Sequence, residues 1–156
     1  MINAQKSAVA HSPVNFNQIT DSIWIGNNMC CAIHNRELLQ LGFDADIDLE
    51  ENRAEEPPHT SIYLWLPTKD HMPPAMEQLT VGSAALKSLV EQHMKVYVHC
   101  KNGHGRAPTL VAAYLISKGL AVHEAIQLIK ERRPAIHLWP SQVEALSRFA
   151  AVRVNR

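Results

Sequence analysis

Residues 95–119, KVYVHCKNGHGRAPTLVAAYLISKG, decide how this chain folds. They begin with KVYVH, a run of β-branched and aromatic side chains that reads as a short strand. They end with APTLVAAYLISKG, apolar almost all round and hence a buried helix. Pro108 is tolerated there because a first helical turn has no use for its missing N–H. Between the two lies a loop with one cysteine, two glycines and an arginine six positions after the cysteine. A strand that passes straight into a helix through small residues is the building unit of an α/β sheet.

Working outward, ITDSIWIG (19–26) alternates isoleucines around Asp-Ser and predicts a short strand or hairpin. CAIHNRELLQLG (31–42) predicts a helix with Ile33, Leu38, Leu39 and Leu41 inward and Gly42 as its stop. FDADIDL (43–49) and SIYLWLP (61–67) predict strands. The second is apolar at nearly every position, as an interior strand covered on both faces would be. EENRAEEPPHT between them is a charged, proline-broken loop. PPAMEQLTVGSAALKSLVEQH (73–93) predicts a helix with Met76, Leu79, Leu86 and Val90 inward, weakened by Gly82. After the central helix, HEAIQLIKERR is amphipathic, and SQVEALSRFAAV opens with Ser141 and Glu144 at the spacing of a capping box. The expected architecture is a single α/β domain. Its central, mostly parallel sheet has about four to five strands flanked by helices. Residues 1–17 are expected to form an N-terminal extension, partly disordered, before a catalytic domain over 18–156.

The composition narrows the function. The chain has 156 residues, 46% hydrophobic and 19% charged, which is ordinary for one globular domain. Fifteen basic residues balance fifteen acidic ones, so the basic excess of a nucleic-acid binder is absent. Three cysteines, two of them neighbours (Cys30 and Cys31), do not read as a disulfide framework. The opening residues lack a charged-then-apolar leader pattern, and no apolar run is long enough to span a bilayer. A cytoplasmic monomer with no stable membrane insertion is expected. The nine histidines show no metal-ligand spacing, so neither a metal nor an organic cofactor is expected.

The loop carries the chemistry. A glycine-rich turn entering a helix gathers backbone N–H groups at the positive end of the helix, a setting suited to a tetrahedral oxyanion. Lys101, Asn102, Gly103, His104, Gly105 and Arg106 would form that phosphate-binding loop, with Arg106 adding a two-donor fork. The same field favours the thiolate of Cys100. Cysteines so placed fall from about 8.5 to roughly 3.5–7.5 in pKa. His99, one residue earlier on the strand, points away from the loop and is expected to support it by hydrogen bonding. A lone cysteine at a strand end is more often a small buried hydrophobe. Cysteine, two glycines and arginine together at such a junction are far more specific.

HCKNGHGR resembles the H-C-x-x-G-x-x-R signature of the cysteine-based protein tyrosine phosphatases, and the small size resembles their dual-specificity branch. ITDSIWIGN is similar to the family's opening strand and RRPAIHLWPSQVEAL to its closing helices, so the likeness covers roughly residues 17–150. The resemblance implies phosphoryl transfer through a phosphocysteine, with an aspartate on a loop about thirty residues before the cysteine as general acid. In LPTKDHMPPAMEQL that position is Asp70. Asp44, Asp46 and Asp48, in or beside a strand, are weaker candidates. Ala107 departs from the family, which places serine or threonine after the arginine to ease departure of the cysteine thiolate. Thr109 is nearby but out of register.

The leading expectation for substrate is a phosphorylated protein, as phosphotyrosine or phosphoserine/phosphothreonine. The alternative is a phosphoinositide, phospholipid or glucan phosphate, favoured by extra positive charge at Lys101 and His104. A phosphate-binding pseudophosphatase is a third reading, disfavoured by the retention of Cys100, Arg106 and Asp70 together.

Overall fold

The computed structural model describes residues 14–28, 32–52 and 60–154, with 32–35 and 154 as backbone only. Five strands, β1 (Phe16–Gln18), β2 (Ile23–Gly26), β3 (Ala45–Asp48), β4 (Ile62–Trp65) and β5 (Val96–His99), form one sheet in the order β1-β2-β5-β3-β4. Only β1 runs antiparallel, pairing Phe16 with Gly26 across a tight hairpin. The parallel core puts Val96 of β5 level with Ile23 on one side and Ala45 on the other. β1 begins at Phe16, so the sheet starts inside the stretch expected to be an extension.

The two faces of the sheet follow from the period of two along each strand. Val96 and Val98 of β5, and Ala45 and Ile47 of β3, point into the main apolar core. That core is closed by α2 (Met76–Glu91), α3 (Arg106–Ser117), α4 (Val122–Arg132) and α5 (Pro140–Val154). α3 packs against the other three and is buried along Arg106–Ile116, as its all-round apolarity requires. On the opposite face Tyr97 joins Phe43 and Leu38, the last from α1 (Ala32–Gln40). There Trp24 and Tyr97 both meet Phe43 edge-on, at centroid distances of 5.4 and 5.3 Å.

Four local expectations are corrected. SIYLWLP forms β4, which is the edge strand and not an interior one; Ile62 and Trp65 are 38% and 39% exposed. An apolar run reports low polarity, whereas its place in the sheet depends on pairing with distant strands. Leu41 lies beyond the end of α1 and is exposed. Gly82, a helix-weakening residue by propensity, is where α2 approaches its neighbours. A Cβ there would lie 2.5 Å from Leu110 Cδ1 and 2.9 Å from Leu66 Cδ1. Finally, α5 starts at Pro140, and the box expected at Ser141 and Glu144 is replaced by Trp139 donating its N–H to Gln142 Oε1 at 2.9 Å. Cys30, Cys31 and the side chain of Ile33 lie outside the described residues.

Candidate active site

Cys100 directly follows β5, and Arg106 is the first residue of α3. The five loop residues between them are held from outside by their carbonyls. Lys101 O accepts from Asn28 N–H at 3.1 Å and His104 O from His137 N–H at 3.0 Å. Asn102 O and Gly103 O accept from Arg133 Nη2 and Nε at 3.0 and 2.9 Å. Gly105 O accepts from the Thr109 hydroxyl at 2.7 Å and from its amide at 2.9 Å. In a trans peptide the carbonyl and the next N–H point to opposite sides. Turning these carbonyls outward therefore turns the N–H groups of residues 102–106 inward, round Cys100. The result is a nest of N–H donors at the start of a buried helix, an arrangement suited to an anion.

Glycine is required where the loop is tightest. Gly103 has φ of 67°, and a Cβ there would strike the Gly26 carbonyl. At Gly105 a Cβ would crowd the Gln142 amide at 3.0 Å. Sequence reasoning found both glycines through the nest, but it missed Arg133. That side chain is 1% exposed, and its remaining nitrogen, Nη1, donates to Asn15 Oδ1 and Asn17 Oδ1 at 2.9 and 2.7 Å. Its described partners are neutral oxygens, and burial pushes its pKa below the usual arginine value. Nothing in ERRP distinguishes Arg133 from the exposed Arg132; only the fold brings it beneath the loop.

Arg106 is also held in place. Nη1 donates to Thr68 O at 2.9 Å and to Leu49 O at 3.3 Å, carbonyls just beyond β4 and β3. Nη2 faces Asp70 Oδ1 at 3.2 Å. Asp70 sits in the turn between β4 and α2 with its side chain 55% exposed, and its amide reaches Glu51 Oε2 at 3.4 Å. Glu51 thus reaches the backbone of the Asp70 turn. Asp70, Cys100, Lys101, Asn102, His104, Gly105 and Arg106 all line one cleft of about 100 Å³. That volume is small against the roughly 300–1,000 Å³ of pockets that enclose a whole small molecule. It suits the head of an ester whose body stays outside.

His99 points to the opposite face of the sheet, as its place in the strand dictates. Register sets it beside Asp48, and its Nε2 lies 3.0 Å from Asp46 Oδ1 and its Nδ1 3.9 Å from Asp48 Oδ1, with all three side chains buried. Burial raises the pKa of Asp48, opposed in turn by His99, the Tyr63 hydroxyl (2.6 Å) and the Glu50 amide (2.8 Å). The carboxylates of ADID therefore flank His99, the residue before Cys100. Asp44 is used elsewhere, accepting from Lys95 N–H at 2.7 Å. Among the described residues no three histidine, cysteine or carboxylate side chains gather as a metal-ligand set. Likewise, no described helix is long and apolar enough to cross a membrane.

His71, His137, Trp139 and Gln142 complete the cleft, and sequence reasoning assigned none of them to it. His104 has its pKa lowered by burial first, then by the charges of Arg133 and His137.

Comparison with known proteins agrees with this geometry. Phosphatidylglycerophosphate phosphatase PTPMT2 of Arabidopsis thaliana is 31% identical over 93 residues, 58% of this chain and 41% of that protein. Phosphatidylglycerophosphatase and protein-tyrosine phosphatase 1 of Mus musculus is 49% identical over 55 residues, 35% of this chain and 28% of that protein. The chain thus matches less than half the length of either. A crystal structure of PTPMT1 in complex with PI(5)P superposes with a TM-score of 0.78 at 27% identity, covering 90% of this chain and 97% of that one. The model of the dual specificity phosphatase catalytic domain matches residues 23–151, and with a cysteine–arginine nest at the end of β5 the chain belongs to that family of cysteine-dependent phosphatases.

Proposed function

We propose that this domain hydrolyses phosphomonoesters carried by a phospholipid or phosphoinositide headgroup. The observation that carries the reading is the make-up of the cleft mouth. Lys101, His104 and His137 line it beside Trp139, which is 41% exposed. A headgroup with a second anionic group meets the Lys101 ammonium and two imidazoles able to donate N–H bonds there, and an apolar body meets the indole. The protein-phosphate reading, first on sequence grounds, has less support. Relatives that align with this chain bear phosphatidylglycerophosphatase names, and a similarly folded structure holds PI(5)P.

In the proposed reaction the nest and Arg106 take the three non-bridging oxygens of the phosphoryl group. The Cys100 sulfur forms a bond to phosphorus as the bond to the ester oxygen breaks, and Asp70 gives its proton to the departing oxygen. Water then attacks the phosphocysteine, Asp70 takes a proton from it, and the thiolate leaves with phosphate released. His99 holds the strand end that carries Cys100, through Asp46 and Asp48. No residue awaits a cofactor in this scheme. Cys100 is a free thiol, and a reducing compartment is the setting that keeps it so.

The test is phosphate release from phosphatidylglycerophosphate, a phosphatidylinositol monophosphate and a phosphotyrosyl peptide at matched concentrations. Higher kcat/KM on the lipids supports the proposal, and preference for the peptide restores the protein-phosphatase reading.

A further inference from the structure

The carboxyl of Asp70 sits on a segment with no regular structure of its own, the stretch between β4 and α2. Its neighbour His71 has φ of 64°, the left-handed region that is unfavourable for a residue with a side chain. Such a conformation persists only where its surroundings over-determine it.

Two residues at the start of α5 do so. Gln142 is fully buried and commits both ends of its amide to backbone. Its Oε1 accepts from Trp139 N–H at 2.9 Å, and its Nε2 donates to Met72 O at 3.1 Å. The ring of His71 lies against the Trp139 indole at a centroid distance of 4.8 Å and a tilt of 50°. His71 N–H in turn donates to Asp70 Oδ1 at 3.0 Å. Asp70, His71 and Met72 are consecutive, so α5 grips the two residues after the carboxylate. Trp139 is 41% exposed and adds little to the core; its indole lies against the rings of His71 and His137.

We propose that Trp139 and Gln142 are positioning residues that latch the Asp70 segment over the Cys100 loop and set the reach of its carboxyl. This rests on the reading of Asp70 as the proton donor. Without the latch His71 relaxes to negative φ, its hydrogen bond to the carboxylate is lost, and the carboxyl is no longer held toward the leaving oxygen. Attack by Cys100 does not depend on it.

The experiment measures kcat/KM across aryl phosphates whose phenols run from strongly to weakly acidic, for the parent and for Trp139→Ala, Trp139→Phe, Asp70→Asn and the Asp70→Asn/Trp139→Ala pair. Trp139→Ala should lose roughly two- to tenfold on the weakly acidic phenols, as expected for one aromatic contact. Trp139 also lines the cleft, so a loss shared with the strongly acidic phenols, which leave without a proton, reports contact with the aryl body. The latch is read as the roughly two- to tenfold excess on the weakly acidic ones. Trp139→Phe should recover most of that excess, and the double variant should depend on the phenol no more steeply than Asp70→Asn alone. Equal loss across all phenols, no loss at all, or full additivity in the double variant overturns the latch. If Asp70→Asn itself shows no dependence on the phenol, the acid assignment falls and the latch with it; if it does while Trp139→Ala does not, the latch alone falls.

Discussion

Arg106 Nη2 rests 3.2 Å from Asp70 Oδ1, across the mouth of the cleft that Cys100 floors. The guanidinium that would bind the phosphoryl oxygens is thus already paired with the carboxylate that would deliver a proton. A phosphate dianion and that carboxylate compete for one cation. In the proposed reaction the substrate phosphoryl group would take over that guanidinium and free the Asp70 carboxyl to face the ester oxygen.

Asp70→Asn should therefore act in two directions. Removing the competing charge should tighten binding of inorganic phosphate or vanadate. Cleavage of esters with poor leaving groups should slow by about 10² to 10⁴. Competitive inhibition and turnover measured on the same preparation check both, and weaker oxyanion binding would contradict the competition.

Cys100→Ser should bind a phosphate ester and fail to turn it over. The nest is backbone and survives the change, whereas an alcohol is a far poorer nucleophile than a thiolate. Calorimetric titration with a slow ester, beside an activity assay, is the measurement. Appreciable turnover would rule out a phosphocysteine.

Ala107 leaves the departing sulfur without the hydroxyl that the family resemblance places there. Thr109 does not substitute for it, because its hydroxyl donates to Gly105 O at 2.7 Å. Rapid-quench kinetics with an activated aryl phosphate should show a burst followed by a slower steady rate. Ala107→Ser should raise that steady rate about tenfold if a hydrogen bond of ~1.4 kcal/mol is gained. No burst in the parent would show that the second step is not limiting.

Arg133→Met should loosen the nest without touching substrate. It strips Asn102 O and Gly103 O of buried donors, at a cost on the order of 2–4 kcal/mol of stability. Phosphate affinity should fall alongside the denaturation midpoint. Unchanged affinity would mean that the loop holds its shape through Asn28, His137 and Thr109 alone.

His104 has a pKa below 6.5, so its imidazole is largely neutral at pH 7 and charges only in more acidic solution. For stability the sign is that of a depressed base. The unfolded chain binds the proton more readily, so His104 favours folding above 6.5, and that contribution is lost as pH falls through its folded value. A phosphate bound in the cleft that His104 and His137 line adds negative charge there and should raise the His104 pKa. Proton NMR titration of the imidazole with and without phosphate would follow it, and a pKa that stays put would place the ring outside the field of the anion.

The geometry of the candidate site was legible in residues 95–119 because it is local. A strand end, two glycines and a helix start converge within a few peptide units, and the nest follows from backbone geometry wherever that segment sits. Asp70 was legible only through the family likeness, since thirty residues of chain carry no distance information on their own. The tertiary structure alone decided what holds the site. Arg133 lies thirty residues beyond Gly103, Gln142 seventy beyond Met72, and Asp46 more than fifty before His99. β4 became an edge for the same reason. Its apolar side chains suit burial, but its hydrogen-bonded register with β3 and its place at the end of the strand order among the described residues are set by distant parts of the chain. Short-range sterics and hydrogen bonding are written in neighbouring residues. Which distant carbonyl a buried guanidinium or amide will meet is settled only when the core closes and leaves it no water.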